Sequence, residues 1–325
     1  MLVVVCPGQG AQSPGMLAPW LELPSVAESI ARASRTTGLD LVAHGTTSDA
    51  DTIRDTAVAQ PLLVASALAS LRAVLDVGPD DALDIAAQRV VGATAGHSVG
   101  ELAAAAIAGV LTDDEALRLV AVRGAAMARA AATTPTGMCA VLGGDPDEVL
   151  AALAEHGLVP ANVNGGGQVV AAGTLDALAA FAAAPPARAR VIALQVAGAF
   201  HTEHMAPAVA ELRAAAEDVT PGEPMVPLLT NSDGTVTASG ARALELIVAQ
   251  VANPVRWDLC QSTLQSLGVT GLLEVAPGGV LTGLARRTLP GVETVAVKTP
   301  ADLDAARDLV ARHAGAPESH QEKSS

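Results

Sequence analysis

The stretch Gly96-His97-Ser98-Val99-Gly100 reads G-x-S-x-G, the pattern of a serine held on a tight turn between a strand and a helix. Before it, the β-branched and small residues of 89–95 predict a buried strand. After it, the alanine-rich run 101–108 predicts a helix that ends at Gly109. Strand, turn and helix therefore come in the order that a nucleophile elbow requires.

Two readings of this turn remain open from the pentapeptide alone. In the first, Gly96 and Gly100 remove side chains where turn and helix crowd together, and the helix N-terminus aims free N–H groups at Ser98, where an oxyanion would form. In the second, the stretch is a plain Gly-Ser turn, with Ser98 as the N-cap of an ordinary helix.

Composition limits the classes of function. The length of 325 residues suggests one large domain or two of ordinary size, and half of the residues are hydrophobic, enough for a core. A formal charge of −15 disfavours nucleic-acid and anionic-membrane surfaces, and four aromatic residues make no stacking platform for bases. The three cysteines lack metal-ligand spacing, the apolar N-terminus is too short for a signal peptide, and no run reads as a membrane span. We predict a cytoplasmic protein without metal, nucleic-acid or membrane partners.

A glycine-rich loop, Gly8-Gln9-Gly10-Ala11-Gln12, follows the predicted first strand, 2–6. It contains neither the dinucleotide pattern G-x-G-x-x-G nor the P-loop pattern G-K-[ST]. The loop either presents backbone N–H groups to a reaction centre or is a plain turn.

Arg123 lies on a predicted helix that begins at the capping box Thr112–Glu115. Apolar residues three and four positions away share its face, so its guanidinium emerges from an apolar wall. It is either a snorkelling arginine whose head lies in water, or a fixed fork for a carboxylate or phosphate.

The segment 135–197 has an internal order of its own. It predicts strands over 138–142, 159–163, 168–172 and 190–196, with helices over 145–156 and 174–182. This order, β-α-β-β-α-β, is the split βαβ of a ferredoxin-like domain. We predict a discontinuous large domain, 1–134 and 198–314, a small subdomain, 135–197, and a disordered tail, 315–325.

The large domain is predicted to be α/β with a parallel sheet. In its first part, helices are expected over 24–35, 49–57 and 60–75, the last with Pro61 in its first turn, and 77–88 is expected to be irregular. In its second part, strands are expected over 227–231, 270–275 and 292–297, and helices over 204–217, 242–251, 257–267, 280–287 and 301–313. His201 falls where the chain returns to this domain; such a histidine is either structural or catalytic.

Seven segments carry a resemblance to a known family, in its order and spacing: PGQGAQ (7–12), GHSVGE (96–101), VRGAAM (122–127), NVNGGGQVVAAG (162–173), GAFHTEHM (198–205), QVANPVRW (250–257) and EVAPGGVLTGL (274–284). To about residue 313 the chain resembles the malonyl-CoA:acyl carrier protein transacylases of bacterial fatty acid synthesis, closest to the actinomycete form. It also resembles the related acyltransferase domains of polyketide synthases.

The resemblance implies an α/β-hydrolase-like large domain with an inserted ferredoxin-like subdomain, and a ping-pong transfer of malonyl through a serine ester. Ser98 matches the nucleophile and His201 its base. Gln250 matches the residue that orients the histidine, through its backbone carbonyl. Gln9 and Val99 match the oxyanion-hole residues, which act through backbone N–H groups.

The resemblance also implies the substrates. Arg123 matches the arginine that holds the malonyl carboxylate, with Met127 and Asn162 beside the same pocket. Phe200 matches a phenylalanine that accompanies malonyl, where a smaller serine accompanies methylmalonyl. Malonyl-CoA and a holo acyl carrier protein are the implied partners, and no cofactor is required because the carrier brings its own phosphopantetheine.

Other readings stay open beside this one. A serine thioesterase or hydrolase could use the same elbow, although no acidic residue stands out as the third member of a triad. A catalytically inactive carrier-binding module is the other alternative. A pathway of fatty acid or polyketide synthesis fits equally, a monomer is expected, and an acidic carrier would dock on basic residues such as Arg188, Arg190, Arg286 and Arg287.

Overall fold

The protein is described by a computed structural model over residues 1–314, so the predicted tail, 315–325, lies outside the described residues. Its strands are β1 (Leu2–Cys6), β2 (Ala93–Gly96), β3 (Thr136–Gly143), β4 (Val159–Gly165), β5 (Gln168–Thr174), β6 (Ala189–Ala193), β7 (Leu228–Leu229), β8 (Val236–Thr237), β9 (Val255–Arg256), β10 (Gly271–Glu274) and β11 (Glu293–Ala296).

The α-helices are α1 (Pro24–Thr37), α2 (Leu41–Thr46), α3 (Thr56–Leu75), α4 (Leu83–Gln88), α5 (Gly100–Ile107), α6 (Asp113–Ala131), α7 (Pro146–Glu155), α8 (Leu175–Ala183), α9 (Ala206–Ala216), α10 (Gly240–Gln250), α11 (Trp257–Ser266), α12 (Val280–Thr288) and α13 (Leu303–His313). Short 3-10 turns occupy Trp20–Glu22, Thr52–Arg54, Glu203–Met205 and Pro300–Asp302.

The larger sheet runs in the order β11-β10-β1-β2-β7-β8, and its strands are parallel except for the antiparallel pair β7–β8. Every residue of β1 is buried, as expected for a central parallel strand with helices on both faces. In the register of β1 and β2, Cys6 lies opposite Gly96. The glycine-rich loop after β1 and the G-x-S-x-G turn after β2 therefore leave the sheet at the same edge, where parallel sheets bind ligands.

The second sheet runs in the order β6-β3-β5-β4-β9. Its first four strands and the helices α7 and α8 follow the predicted β-α-β-β-α-β order. The fifth strand, β9, comes from beyond residue 197 and pairs in parallel with β4, placing Asn162 opposite Val255. The sequence pattern does not predict β9, because a two-residue strand has no periodicity to detect.

The first helices correct three expectations. Helix α3 begins at Thr56 because the Asp55 carboxylate caps it by accepting the Ala57 N–H at 2.9 Å. Pro61 therefore lies inside the helix, not in its first turn. The helix expected over 49–57 is instead a 3-10 turn followed by the start of α3, and the segment expected to be irregular contains α4.

Helix α3 is the central helix of the core. It has the length and apolar composition of a membrane span, and most of that stretch is buried inside the protein. It packs closely on α6, where a Cβ at Gly124 would lie 2.8 Å from the carbonyl oxygen of Thr56. The capping box predicted for α6 is confirmed, with Thr112 and Glu115 each bonding the other's backbone N–H. This packing brings the middle of α6 against the first turns of α3.

Candidate active site

The turn between β2 and α5 can exist only with glycine at both ends. A Cβ at Gly96 would lie 1.9 Å from the carbonyl carbon of Gly100, and a Cβ at Gly100 would lie 2.3 Å from the carbonyl oxygen of Cys6. Between them Ser98 has a φ of 54°, a left-handed conformation that non-glycine residues rarely adopt. Ser98 is not the helix N-cap, which is Val99. The reading as an ordinary capped helix is therefore wrong.

Ser98 and His201 meet although they lie far apart in the sequence. The Ser98 Oγ lies 2.9 Å from the His201 Nε2, and the His201 Nδ1 lies 3.1 Å from the backbone carbonyl oxygen of Gln250. The Gln250 Nε2 also lies 3.0 Å from the same Nδ1. In the tautomer that donates the Nδ1–H to the carbonyl, Nε2 is the nitrogen that accepts the serine proton. The third position of the serine–histidine pair is thus filled by a backbone amide, not by a carboxylate.

Arg123 is 1% exposed, so the alternative in which its head lies in water is wrong. Its Nη1 donates to the Gln60 Oε1 at 2.6 Å, and its Nη2 donates to the Gln250 Oε1 at 3.0 Å and to the Ser98 Oγ at 3.3 Å. Within residues 1–314 it forms no ion pair with a carboxylate. A buried guanidinium that donates only to neutral oxygens can donate the same N–H groups to an anionic group.

The electrostatics of the site follow from this burial. Burial, followed by the positive charge of Arg123, lowers the pKa of His201 to about 3, so the imidazole is neutral near pH 7 and free to accept a proton. Burial lowers the pKa of Arg123 to about 10, with Glu101 opposing the change, so the guanidinium stays charged. A neutral base and a cation therefore contact the same serine oxygen.

The loop after β1 packs against the elbow, since a Cβ at Gly8 would lie 2.8 Å from the carbonyl oxygen of His97. The Gln9 side chain turns away, donating to the Arg54 carbonyl and the Thr56 hydroxyl at 3.3 Å each. The backbone N–H groups of Gln9 and Val99 have no acceptor within the described range. Both N–H groups are therefore unpaired within the described residues, as the oxyanion-hole assignment requires.

The other three predicted site residues, Met127, Phe200 and Asn162, differ in how closely they contact the site. Met127 is buried one turn after Arg123, and its Sδ lies 3.4 Å from the Gln60 Nε2. Phe200 is buried in the main core, directly before His201. Asn162 lies on β4, and its Oδ1 is buried without a hydrogen-bond partner among the described residues. No hydrogen bond in the described part of the chain joins Asn162 to the serine, histidine or arginine.

Four further residues surround the site, and the sequence analysis does not predict a role for them there. Gln60 holds Arg123, as described above. The buried Asn231 and Glu101 lie behind the elbow, and Asn164 approaches His97, with its Oδ1 2.9 Å from the His97 Nε2. The only signal for Asn231 was its position at the carboxyl end of a predicted strand, the edge where sites of parallel sheets lie.

The chain is similar to known acyl-transferring proteins over nearly its whole length. Residues 3–308 match the family model described as an acyl transferase domain. Malonyl CoA-acyl carrier protein transacylase of Mycobacterium tuberculosis is 51% identical over 95% of this chain and 100% of its own length.

Two solved structures share the fold. The crystal structure of MCAT from M. tuberculosis matches with a TM-score of 0.89 and 50% identity, over 94% of this chain and 99% of that one. The malonyl-transacylase PlMCAT, solved in complex with the type II PKS acyl-carrier protein AntF, matches with a TM-score of 0.84 and 33% identity, over 94% and 99%. With the serine, histidine and arginine converging on one oxygen, these similarities show that the chain belongs to the malonyl-CoA:acyl carrier protein transacylase family.

Proposed function

We propose that this protein transfers a malonyl group from malonyl-CoA to the phosphopantetheine thiol of an acyl carrier protein, through an ester on Ser98. The observation that carries the proposal is the convergence of His201 and Arg123 on the Ser98 hydroxyl. One group is a base for the nucleophile, and the other is a buried cation suited to the free carboxylate of the acyl group.

In the first half-reaction, the His201 Nε2 takes the Ser98 hydroxyl proton as the Oγ attacks the thioester carbonyl carbon. The N–H groups of Gln9 and Val99 stabilise the oxyanion that forms. The C–S bond then breaks, the carbonyl re-forms, and His201 returns the proton to the sulfur of coenzyme A. The products are malonyl-Ser98 and free coenzyme A.

In the second half-reaction, the carrier's pantetheine thiol gives its proton to His201 as the sulfur attacks the ester carbonyl. The C–O bond to Ser98 breaks and the serine oxygen recovers the proton. Because coenzyme A leaves before the carrier thiol reacts with the malonyl-serine ester, the kinetics are ping-pong. No cofactor is needed, since both thiols belong to the substrates.

Selectivity rests on residues around the acyl group. Arg123 binds the malonyl carboxylate with its guanidinium fork, in place of neutral contacts that it makes to the side chains of Gln60 and Gln250. Met127 and Asn162 border the pocket, and the ring of Phe200 fills the space that a methyl branch on the acyl chain would need. An acyl group without the carboxylate leaves the buried cation without a counter-charge.

We also propose the finer architecture. The larger sheet and its helices form an α/β-hydrolase-like domain, residues 1–134 and 198–314, and residues 135–197 form a ferredoxin-like subdomain. The strand order β6-β3-β5-β4 supports the second assignment. We further propose a cytoplasmic monomer that serves fatty acid synthesis, with polyketide synthesis as the alternative pathway.

An acidic carrier protein would dock on the end of the second sheet. Arg190 lies opposite Leu142, which lies opposite Gln168, and the Arg287 Nη2 donates to the Gln168 Oε1 at 3.3 Å. Arg188 and Arg286 are exposed nearby in the sequence. Charge reversal of Arg190 and Arg287 should raise the KM for the carrier about tenfold and leave acylation by malonyl-CoA unchanged. Reversal of Arg242, whose exposed side chain pairs with Glu245, is the control.

Intact-protein mass spectrometry tests the transfer. Wild type mixed briefly with malonyl-CoA should gain one malonyl group, which should move to holo carrier protein on its addition; Ser98→Ala should gain none. Steady release of coenzyme A without an adduct would favour a thioesterase or hydrolase. Neither adduct nor turnover would favour an inactive carrier-binding module.

A further inference from the structure

The side chain of Asn231 forms hydrogen bonds to the backbone on both sides of His97 in the G-x-S-x-G turn. This side chain, 0% exposed, lies two residues after β7. Its Oδ1 accepts the Ser98 N–H at 2.7 Å, and its Nδ2 donates to the Gly96 carbonyl oxygen at 2.7 Å. One amide therefore satisfies a buried donor and a buried acceptor on either side of the turn, since its oxygen accepts and its NH₂ group donates.

The strained backbone conformation of Ser98 requires hydrogen bonds that stabilise it. A serine with a φ of 54° persists only where its surroundings over-determine the backbone. Gly96 and Gly100 leave room for the turn, but they form no side-chain contact that would hold the Ser98 backbone in this conformation. The paired hydrogen bonds from Asn231 fix the direction of the Ser98 N–H and of the Gly96 carbonyl. They therefore orient the peptide groups on both sides of His97.

Glu101 in turn holds Asn231. Its Oε1 accepts the Asn231 backbone N–H at 2.8 Å, from the first turn of α5. The side chain is buried, and its Oε2 has no partner within residues 1–314. Burial raises the pKa of this carboxyl to about 8, against the opposing effects of the Asn231 N–H and Arg123. Its use is thus that of a hydrogen-bond acceptor and does not require a negative charge.

We propose that Asn231 is a positioning residue that holds the Ser98 nucleophile in its reactive conformation, and that Glu101 is the acceptor that holds Asn231. The proposal rests on the transfer mechanism above. Loss of Asn231 should misplace the Ser98 Oγ relative to His201 and should disturb the adjoining Val99 N–H. Arg123 lies on a different helix, so binding of the malonyl carboxylate should change little.

The test compares Asn231→Ala, Glu101→Ala and Glu101→Gln with wild type. The single-turnover rate of acylation at saturating malonyl-CoA, the concentration that gives half that rate, and the unfolding temperature are measured for each. Ser70→Ala is the matched control: Ser70 is equally buried, and its Oγ accepts the Ala276 N–H at 3.0 Å, so its loss also leaves a buried N–H unsatisfied, away from the elbow.

We expect Asn231→Ala to acylate about 100-fold more slowly, with a half-saturating concentration within about threefold of wild type. Ser70→Ala should lose a similar amount of stability and keep its rate. Glu101→Ala should be slowed about tenfold, and Glu101→Gln should recover most of the rate, because its amide oxygen can accept the same N–H. Should Asn231→Ala fail to fold, Asn231→Ser provides the same rate comparison with a small polar side chain.

Three outcomes would overturn the proposal. Asn231→Ala could lose stability yet keep its rate, Ser70→Ala could be slowed equally, or Glu101→Gln could be slowed as much as Glu101→Ala. A wild type that forms no adduct would contradict the transfer itself. A wild type and an Asn231→Ala variant that acylate equally fast would contradict the present inference alone.

Discussion

The serine side and the arginine side of this site are built in opposite ways. The serine side is made of backbone: two glycines that cannot be replaced, a left-handed serine and the ends of two neighbouring parallel strands. The arginine side is made of side chains, with the Gln60 and Gln250 amides holding Arg123 from two other helices. The glycine pattern of the serine side is encoded within a few consecutive residues, whereas the arginine side joins residues 63 and 127 positions apart.

This difference separates reactivity from selectivity. A local turn can present a nucleophile to any acyl group, and its geometry does not depend on which one arrives. In the proposed function, the fork on the arginine side adds the preference for a carboxylate, because a buried guanidinium without a counter-charge is costly. Variants on the serine side should thus affect all acyl groups alike, and those on the arginine side should affect malonyl more than acetyl.

The largest effect is expected from His201→Ala. Without a base for the Ser98 proton, the acylation rate should fall on the order of 10³-fold. Malonyl-CoA and acetyl-CoA should both lose rate on this scale, because the imidazole contacts the nucleophile and not the acyl chain. Stopped-flow release of coenzyme A measures both rates. A loss confined to malonyl-CoA would contradict the proposed separation of reactivity from selectivity.

Arg123→Ala should have the next largest effect, and a selective one. A charge-assisted hydrogen bond contributes about 1.5–3 kcal/mol, so kcat/KM for malonyl-CoA should fall roughly 10- to 100-fold. Acetyl-CoA should change by about threefold or less. The control is Arg118→Ala, an exposed arginine on the same helix. Equal losses for the two thioesters would remove Arg123 as the carboxylate anchor.

Gln60→Ala should behave as a weaker version of Arg123→Ala. The variant leaves the guanidinium in place but removes the oxygen that holds its Nη1. We expect about a tenfold loss for malonyl-CoA, measured as the ratio of malonyl to acetyl transfer. Gln261→Ala removes another buried glutamine, bonded to the second sheet, and should leave that ratio unchanged.

The smallest effect is expected from pH. The pKa of His201 is lowered, so the imidazole of the free enzyme stays neutral as the pH falls through the ordinary value of 6.5. The profile of kcat/KM for malonyl-CoA should therefore show no loss near pH 6.5. Stability should decrease over the same range, because the unfolded chain takes up a proton at this histidine and the folded chain does not. An acid limb centred on 6.5 would place His201 in contact with water.

Local features of the fold could be predicted well. The first strand, 2–6, has the predicted bounds, because a β-branched run before Pro-Gly needs no tertiary information. The glycine pattern around Ser98 and the capping box of α6 are similarly self-contained. The mixed α/β character also follows, since buried strands alternate with helices along most of the chain.

Long-range partners could not be predicted. Gln60 was passed over because Asp55, not Pro61, sets the start of α3, which moves this glutamine well inside a buried helix. The contact between the Asn231 backbone N–H and the Glu101 carboxyl gives no sequence pattern, because it spans 130 positions. The pairing of β4 with β9 also leaves no signal in the sequence, since a strand of two residues is too short to show an alternation of apolar and polar side chains.

With Arg123 as the proposed carboxylate anchor, substrate binding would also change the basicity of His201. In the empty site, the guanidinium lies close enough to lower the proton affinity of His201. A malonyl carboxylate on the fork would cancel most of that positive field and increase the basicity of the imidazole. The Ser98 proton would then pass to His201 more readily once a dicarboxylic thioester is bound. Discrimination would thus extend from affinity to the rate of bond formation, and water entering an unoccupied pocket would meet a weak base.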